Sequence, residues 1–342
     1  MNQTIVLTGS EGFIGGYIVQ EALQQGYKVI GIDNFSKYGK IIRSFKENSN
    51  YEFVLGDCRD TNLMSKIFKQ ADHVIAGAAM IGGISYFHKF AYDLLATNER
   101  IMASTCDAAI EARKLNKLKK ITYISSSMVY ESTESWPSKE GDELKIAPPK
   151  SSYGFQKLAV EYFARAAWLQ YKLPYTILRP FNCVGIGEVR AKNEVEIKSG
   201  NLNLALSHVV PDLIQKILKG QNPLHILGTG KQERCYTYGG DLAKGIVNSL
   251  NNPKALNEDF NLSSKEPINV IEIAKLIWDK VNEGAGKLQF IHDEPYFYDV
   301  QKRIPDTHKA RKILGFEANT KIENVLEELI PWIKSAIEKE LI

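Results

Sequence analysis

The chain is predicted to be an α/β protein, a doubly wound parallel sheet carrying a smaller C-terminal α/β lobe. Three observations lead there. Short apolar runs alternate with helical periods through the first half, a glycine-rich turn joins the first run to the first helix, and the alternation stops after Pro180. A crossover helix returns the chain to the same edge of the sheet, so strict alternation of strand and helix implies parallel strands. Such strands are buried on both faces and read as continuous apolar runs, with ligands at their carboxyl ends.

The runs are TIVLTG (4–9), KVIGID (28–33), EFVLGD (52–57), HVIAGAA (73–79), KITYISS (120–126) and YTILRPFN (175–182). Helical periods fall between them at 14–25, 63–69, 93–115 and 153–171. Residues 183–207 are polar and loop-like, and SHVVPDLIQKIL (207–218) resumes as a helix. LHILG, INVIEIAKLIWDKV and LQFIHD add mixed elements, while YTYGGDLAKGIVNSL (236–250) returns to the first domain. The expected division is 1–182 plus 235–262 for the sheet domain and 183–234 plus 263–342 for the lobe. The amphipathic segment IENVLEELIPWIKSAIEKEL reads as a helix packed on its own lobe.

Composition narrows the function classes. A net charge of +3 over 342 residues is too small to argue for nucleic acid or a membrane surface as partner. No apolar segment reaches the length of a membrane span, and MNQTIVLTGS enters a strand with no leader-like pattern. Cys58, Cys106, Cys183 and Cys235 are scattered singly, unlike a disulfide framework, and the six histidines lack metal-ligand spacing. The expectation is a cytoplasmic protein without a metal.

The first run leads into TGSEGFIG, which places Gly9, Gly12 and Gly15 in a turn that opens a helix. Glycines there allow a tight turn, close approach of backbone N–H groups to a pyrophosphate, and close helix–strand packing. Asp33 ends the second strand 18 residues after Gly15, where a carboxylate accepts from ribose hydroxyls and repels a 2′-phosphate. NAD is therefore favoured over NADP, although Lys37, Lys40 and Arg43 lie just beyond. Asp57, in GDCRD, has two readings: a contact to the adenine amino group, or a polar strand end.

SSYGFQK (151–157) sets Tyr153 and Lys157 four apart, on one face of a helix. A phenol with a pKa of about 10 is a poor base, and a nearby ammonium favours the phenolate. The strand before it ends in Ser125-Ser126-Ser127, whose hydroxyls can hold a substrate hydroxyl.

Taken in order, these segments resemble the extended short-chain dehydrogenase/reductases, the NAD-dependent nucleotide-sugar epimerase/dehydratase family. TGSEGFIG matches its cofactor turn and YGFQK its Tyr/Lys motif. RPFNCVG (179–185), YTYGGDLAKGI and KRIPDTHKARKILGFEAN (302–319) are similar to its later segments, so the resemblance covers nearly the whole chain. It implies a Rossmann domain, a lobe that clamps a nucleoside-diphosphate sugar, and a homodimer formed through helices 93–115 and 153–171. It implies cofactor contacts from Gly9, Gly12, Phe13, Ile14, Gly15, Asp33, Asn34, Asp57, Cys58, Ala78, Asn98, Tyr153, Lys157 and Pro180. Asn98 would support the active-site strand and cofactor, or make a helix-end hydrogen bond. Substrate contacts are implied for Gly82, Gly83, Ser126, Ser127, Asn182, His208, Arg234 and Arg303, the arginines suiting a diphosphate by their bidentate fork. Each arginine alone is also readable as a surface salt bridge.

In this family chemistry begins when tyrosinate takes the C4 hydroxyl proton while hydride passes to NAD, and further acid/base groups decide the fate of the 4-keto sugar. Ser126 takes the position that hydrogen-bonds the C4 oxygen. Ser127 and Met128 stand where the 4,6-dehydratases carry Asp and Glu, and the second position is cysteine in the 3,5-epimerising groups. A thioether carries no proton. Dehydration and 3,5-epimerisation each lose a group, and redox at C4 remains: a 4-epimerase, or a C4 dehydrogenase or 4-keto reductase. AAMIGGISYF (78–87) and His208 in SHVVP lean towards the GDP-sugar groups, with His208 readable as acid/base or as a lobe contact. An inactive NAD-binding sensor or scaffold would have lost the tyrosine, lysine or strand-end hydroxyl, and none is lost.

Overall fold

The structure, a computed structural model, describes residues 3–83, 86, 89–115, 117–192, 197–206, 208–296 and 300–342. The first part alternates β1 (Thr4–Thr8), α1 (Phe13–Gln24), β2 (Lys28–Asp33), β3 (Tyr51–Leu55), α2 (Thr61–Phe68), β4 (His73–Ala76), α3 (Ala91–Lys114), β5 (Lys120–Ile124), α4 (Ser152–Tyr171) and β6 (Tyr175–Pro180). There follow β7 (Cys183–Val184), β8 (Ile197–Ser199), β9 (Leu202–Leu204), α5 (Val209–Leu218), β10 (Leu224–Leu227), β11 (Glu233–Cys235), β12 (Thr237–Tyr238), α6 (Gly239–Ser249) and β13 (Glu258–Leu262). The chain ends through β14 (Pro267–Asn269), α7 (Val270–Asn282), β15 (Phe290–Asp293), β16 (Lys302–Arg303), α8 (His308–Leu314) and α9 (Ile322–Glu338).

Seven strands form one sheet in the order β13-β6-β5-β4-β1-β2-β3, every pair parallel. Side chains alternate between its faces with period two. Val6, Ile30, Val74, Ile121 and Ile177 pack under α2, α3 and α4, while Ile5, Leu7, Val29, Ile75 and Phe260 pack under α1, α6 and α8. The fold is the doubly wound Rossmann type. Strand order reverses between β1 and β4, which opens a crevice at their carboxyl ends.

Local chemistry fixes the helix starts that border this crevice. Asp60 caps α2 by accepting from the N–H groups of Asn62 and Leu63, and Ser151 caps α4 by accepting from Gly154 N–H at 3.0 Å. The start of α1 has no such side-chain cap, leaving its first N–H groups to the crevice.

A third core joins α5, α7 and α9 with β10, burying Val210, Leu213, Ile226, Ile273, Val325 and Leu329. The amphipathic C-terminal segment is thus spent on its own lobe. Two features differ from the sequence reading. Residues 183–207 hold β7 and an antiparallel β8–β9 hairpin turning at Gly200, whose strands of three residues are too short to show a period. Within 263–342, Ala310, Leu314 and Phe316 pack under the main sheet rather than into the lobe core. Among the described residues no helix is long and apolar enough to cross a membrane, and no His/Cys/Asp/Glu group could hold a metal ion.

Candidate active site

A cavity of about 720 Å³ runs from the glycine turn, past the start of α4, into the lobe. At one end Gly9 has φ of +78°, and a Cβ there would stand 2.9 Å from Ala78 Cα. A Cβ on Gly15 would stand 2.0 Å from Gly9 O. Side chains at either place would fill the cradle or break it, so the turn is built for something that lies against bare backbone. Phe13, Ile14, Asn34 and Ala78 line the same end, and Pro180, at the end of β6 beside β5, lines the cavity further along.

Asp33 accepts from Phe35 N–H at 2.8 Å and Glu11 N–H at 3.1 Å. Burial pushes its pKa up, opposed by these backbone N–H groups and the positive charge of Arg43. Arg43 itself does not face the cavity, and its Nη2 donates to the carbonyls of Glu11 at 2.9 Å and Gly12 at 3.1 Å. That guanidinium is committed to the turn rather than to a ribose phosphate. Lys40 points to solvent, and Lys37 lines the cavity. Asp57 lines it too, held below the usual carboxylate range by the Arg59 guanidinium bonded to it. Cys58 is a wall contact whose thiol burial pushes up to about 12. Asn98 stands one layer back from the cavity. It accepts from Met80 N–H at 2.6 Å and donates to Met80 O at 2.9 Å, which fixes the chain after β4.

Tyr153, Lys157 and Ser126 meet in the middle. Lys157 Nζ lies 5.9 Å from the Tyr153 ring centroid and donates to Ile124 O at 2.9 Å. Burial lowers its pKa to about 8. Burial also raises the pKa of Tyr153, opposed by a hydrogen bond from Ser126 and the positive charges of Arg303 and Lys37. Burial is the largest of these influences, so in the protein alone it disfavours the phenolate of Tyr153. The three serines separate by direction. Ser125 donates to Glu161 Oε1 at 2.7 Å, into a buried network with Arg179, while Ser126 caps the short 3₁₀ turn Ser127–Tyr130 and faces Tyr153. Met128 is buried against Tyr153 and Leu94, with Ile81 and Tyr86 around it.

At the far end, Arg234 and Arg303 are register partners in the parallel β11–β16 pair, which brings two arginines distant in sequence to one wall. Asn182 accepts from Arg303 at 3.5 Å and donates to Cys235 O at 3.2 Å, holding a left-handed φ of +37°. Arg234 donates to the carbonyls of Glu233, Gln301 and Val300. Gly82, Gly83, Ser127 and His208 also line the cavity; Ser207, Ile84, Ser85 and Phe87 of the two neighbouring motifs lie outside the described residues. His208 Nδ1 bonds Glu188, a buried residue that no sequence spacing marks. Burial acts to raise the Glu188 pKa, but His208 and then Lys37 outweigh it and hold the carboxyl below its usual range. Asp212, paired with Lys216 at 2.8 Å, is pushed up to about 6 by burial.

A glycine cradle at the switch point of a parallel sheet, opening onto a buried Ser/Tyr/Lys group, defines a dinucleotide-dependent enzyme. The sequence profile of the NAD dependent epimerase/dehydratase family matches residues 5–263. The chain belongs to that family, and the family's cofactor is NAD. It is similar to a UDP-N-acetyl-α-D-glucosaminuronate decarboxylase of Bacillus cytotoxicus, 28% identical over 98% of each chain. It is also similar to a UDP-glucuronate 4-epimerase of Thermodesulfobacterium geofontis, 26% identical over 97% of each. The crystal structure of Thermotoga maritima UDP-glucose 4-epimerase with UDP-glucose superposes with a TM-score of 0.79 at 25% identity, covering 98% of this chain and 99% of that one.

Proposed function

We propose that the protein is a nucleotide-sugar epimerase acting at C4 through a transient 4-keto sugar. The observation that carries this reading is the Ser126–Tyr153 contact beside Lys157, with the Met128 thioether packed against Tyr153. NAD, when bound, supplies the acceptor and donor of hydride. The bare turn Gly9–Gly15 and the uncapped start of α1 suit its pyrophosphate, and Asp33 suits its adenosine ribose. Ser126 orients the C4 hydroxyl and Tyr153 takes its proton, with Lys157 providing positive charge as the phenolate forms. Asn182, Arg234 and Arg303 suit the diphosphate, and the lobe formed by most of 183–234 and 263–342 suits the rest of the nucleotide. Met128 leaves no proton carrier at the position where dehydration or 3,5-epimerisation would need one.

The test is incubation of the purified protein with UDP- and GDP-sugars, following products by NMR and reduced nicotinamide by absorbance. A 4-epimer formed without net NADH is expected. Accumulating NADH or ketone would make the protein a net C4 dehydrogenase or reductase instead, and a 4-keto-6-deoxy product would overturn the argument from Met128. Tyr153→Phe is expected to keep NAD bound and to lose at least about a hundredfold in kcat. An unchanged rate would refute the base assignment. The relatives divide between hexoses and hexuronates.

A further inference from the structure

Three side-chain contacts join α4 to the end of β5, and the mechanism uses only two of them. Tyr153 meets Ser126, and Lys157 Nζ donates to Ile124 O at 2.9 Å. One turn further along the same helix face, Glu161 accepts from Ser125 Oγ at 2.7 Å. Ser125 therefore stands between the two points of the strand that touch Lys157 and Tyr153.

Glu161 and Arg179 are fully buried. Oε1 of Glu161 also accepts from Arg179 Nε at 2.7 Å, and Oε2 accepts from Arg179 Nη2 at 2.7 Å and Arg165 Nη2 at 3.1 Å. The fork of the guanidinium fixes the plane of the carboxylate. A carboxylate paired in this way only accepts, so it fixes the direction of the Ser125 O–H as well. Through Nη1, Arg179 donates to Tyr130 OH at 2.7 Å, and Tyr130 lies on the 3₁₀ turn that Ser126 caps. The network thus grips the chain on both sides of Ser126. Apolar packing would hold α4 on the sheet as firmly, because buried ion networks stabilise no better than well-packed hydrophobic side chains. A fully satisfied network adds one defined arrangement of the groups it holds.

We propose that Glu161 is a positioning residue: through Ser125 it holds the Ser126 hydroxyl on Tyr153, so that the pair meets the C4 hydroxyl in one geometry. This rests on the reading of the cavity as a nucleotide-sugar site acting at C4. The hydrogen bond from Ser126 favours the phenolate of Tyr153. The charged groups around that phenol and its helix start are Lys157 on α4, Lys37 after β2, Arg303 on β16 and Glu131, whose Oε2 accepts from Ser151 N–H at 2.9 Å. Releasing Ser126 leaves all four in place and weakens only the hydrogen bond.

Ser125→Ala removes the link and leaves Glu161 its two bonds from Arg179, so the network stays satisfied. In the NAD-loaded protein, ionisation of Tyr153 is followed by NMR of labelled tyrosine, its signal assigned by its loss in Tyr153→Phe. Ser125→Ala should ionise Tyr153 at higher pH than the unmodified protein does. With a sugar nucleotide that is turned over, it should lower kcat about tenfold and leave KM within about twofold. Lys309→Met cuts the network on its far side, where Asp259 bridges Arg179 and Lys309 at 2.7 Å to each, and should move neither quantity. An unmoved Tyr153 midpoint, an unmoved kcat, or equal changes in Lys309→Met overturn the inference. Turnover separates it from the reading beneath it: a moved midpoint in a protein that forms no 4-epimer upholds Glu161 and sinks the C4 epimerase reading.

Discussion

Lys120 shows what burial does to a single charge in this fold. Its Nζ is enclosed at the start of β5, donating to Thr176 Oγ1 at 2.8 Å and Ser249 O at 2.6 Å. Burial lowers its pKa from 10.5 to about 7. Between those values the unfolded chain binds more protons than the folded one, so stability from this residue rises with pH across that window. Below about pH 7 both states are charged and folding bears the full burial cost. The unmodified protein should therefore gain stability from pH 7 to 9 relative to Lys120→Met, by up to about 1 kcal/mol per pH unit. Thermal unfolding at several pH values checks it, and parallel curves for the two proteins would refute it. Met128 makes the complementary case. Its thioether walls the Tyr153 ring, so Met128→Ala should cost about 2–5 kcal/mol in urea unfolding and lower kcat more than it raises KM. The local part of this site was legible in the sequence: Ser126, Tyr153 and Lys157 sit on adjoining elements in a fixed order. Ser125 misled, because its hydroxyl answers to Glu161, a partner that only helix packing supplies. Glu188 and Glu131 were silent for the same reason. Their roles come from groups 20 residues away in sequence, across a hairpin in one case and a loop in the other.

At the scale of elements, the alternating runs gave the parallel sheet because buried strands carry their own signature, whereas the stretch 183–207 carried none. That stretch matters because it meets the chain after β2. Lys192 N–H donates to Lys37 O at 2.8 Å, and a Cβ on Gly187 would stand 3.0 Å from Arg43 Nη1. Arg43 simultaneously holds the carbonyls of Glu11 and Gly12, so one guanidinium braces the glycine turn where the stretch 183–207 comes close to it. In the sequence it read as a candidate for a 2′-phosphate; in the fold it is a strap. Bracing of this kind keeps the glycine turn in the shape that suits a cofactor pyrophosphate. Arg43→Ala should therefore lose most of its NAD on gel filtration while the unmodified protein keeps it. Equal retention, measured by NAD released on denaturation, would show that the strap holds only protein.

For the whole molecule, one face of α4 is apolar and exposed. Phe155, Tyr162 and Leu169 are 47%, 58% and 71% exposed and recur every seven residues, with Ala159 and Ala166 between them. Single exposed apolar side chains need no explanation, but a seam at a/d spacing along one helix does. Tyr92 on the neighbouring α3 is also exposed, at 76%. A self-complementary surface of large residues alternating with alanine favours a twofold pairing of α3 and α4 with their copies, each large side chain entering the gap over an alanine. The protein should be a dimer by light scattering at micromolar concentration. Tyr162→Arg combined with Leu169→Glu should make it a monomer with unchanged helical circular dichroism. The seam lies on the helix that carries Tyr153 and Lys157, so the monomer should also lose kcat as that helix is released from its partner. A monomeric unmodified protein would overturn the pairing, and a monomeric variant with full activity would separate assembly from catalysis.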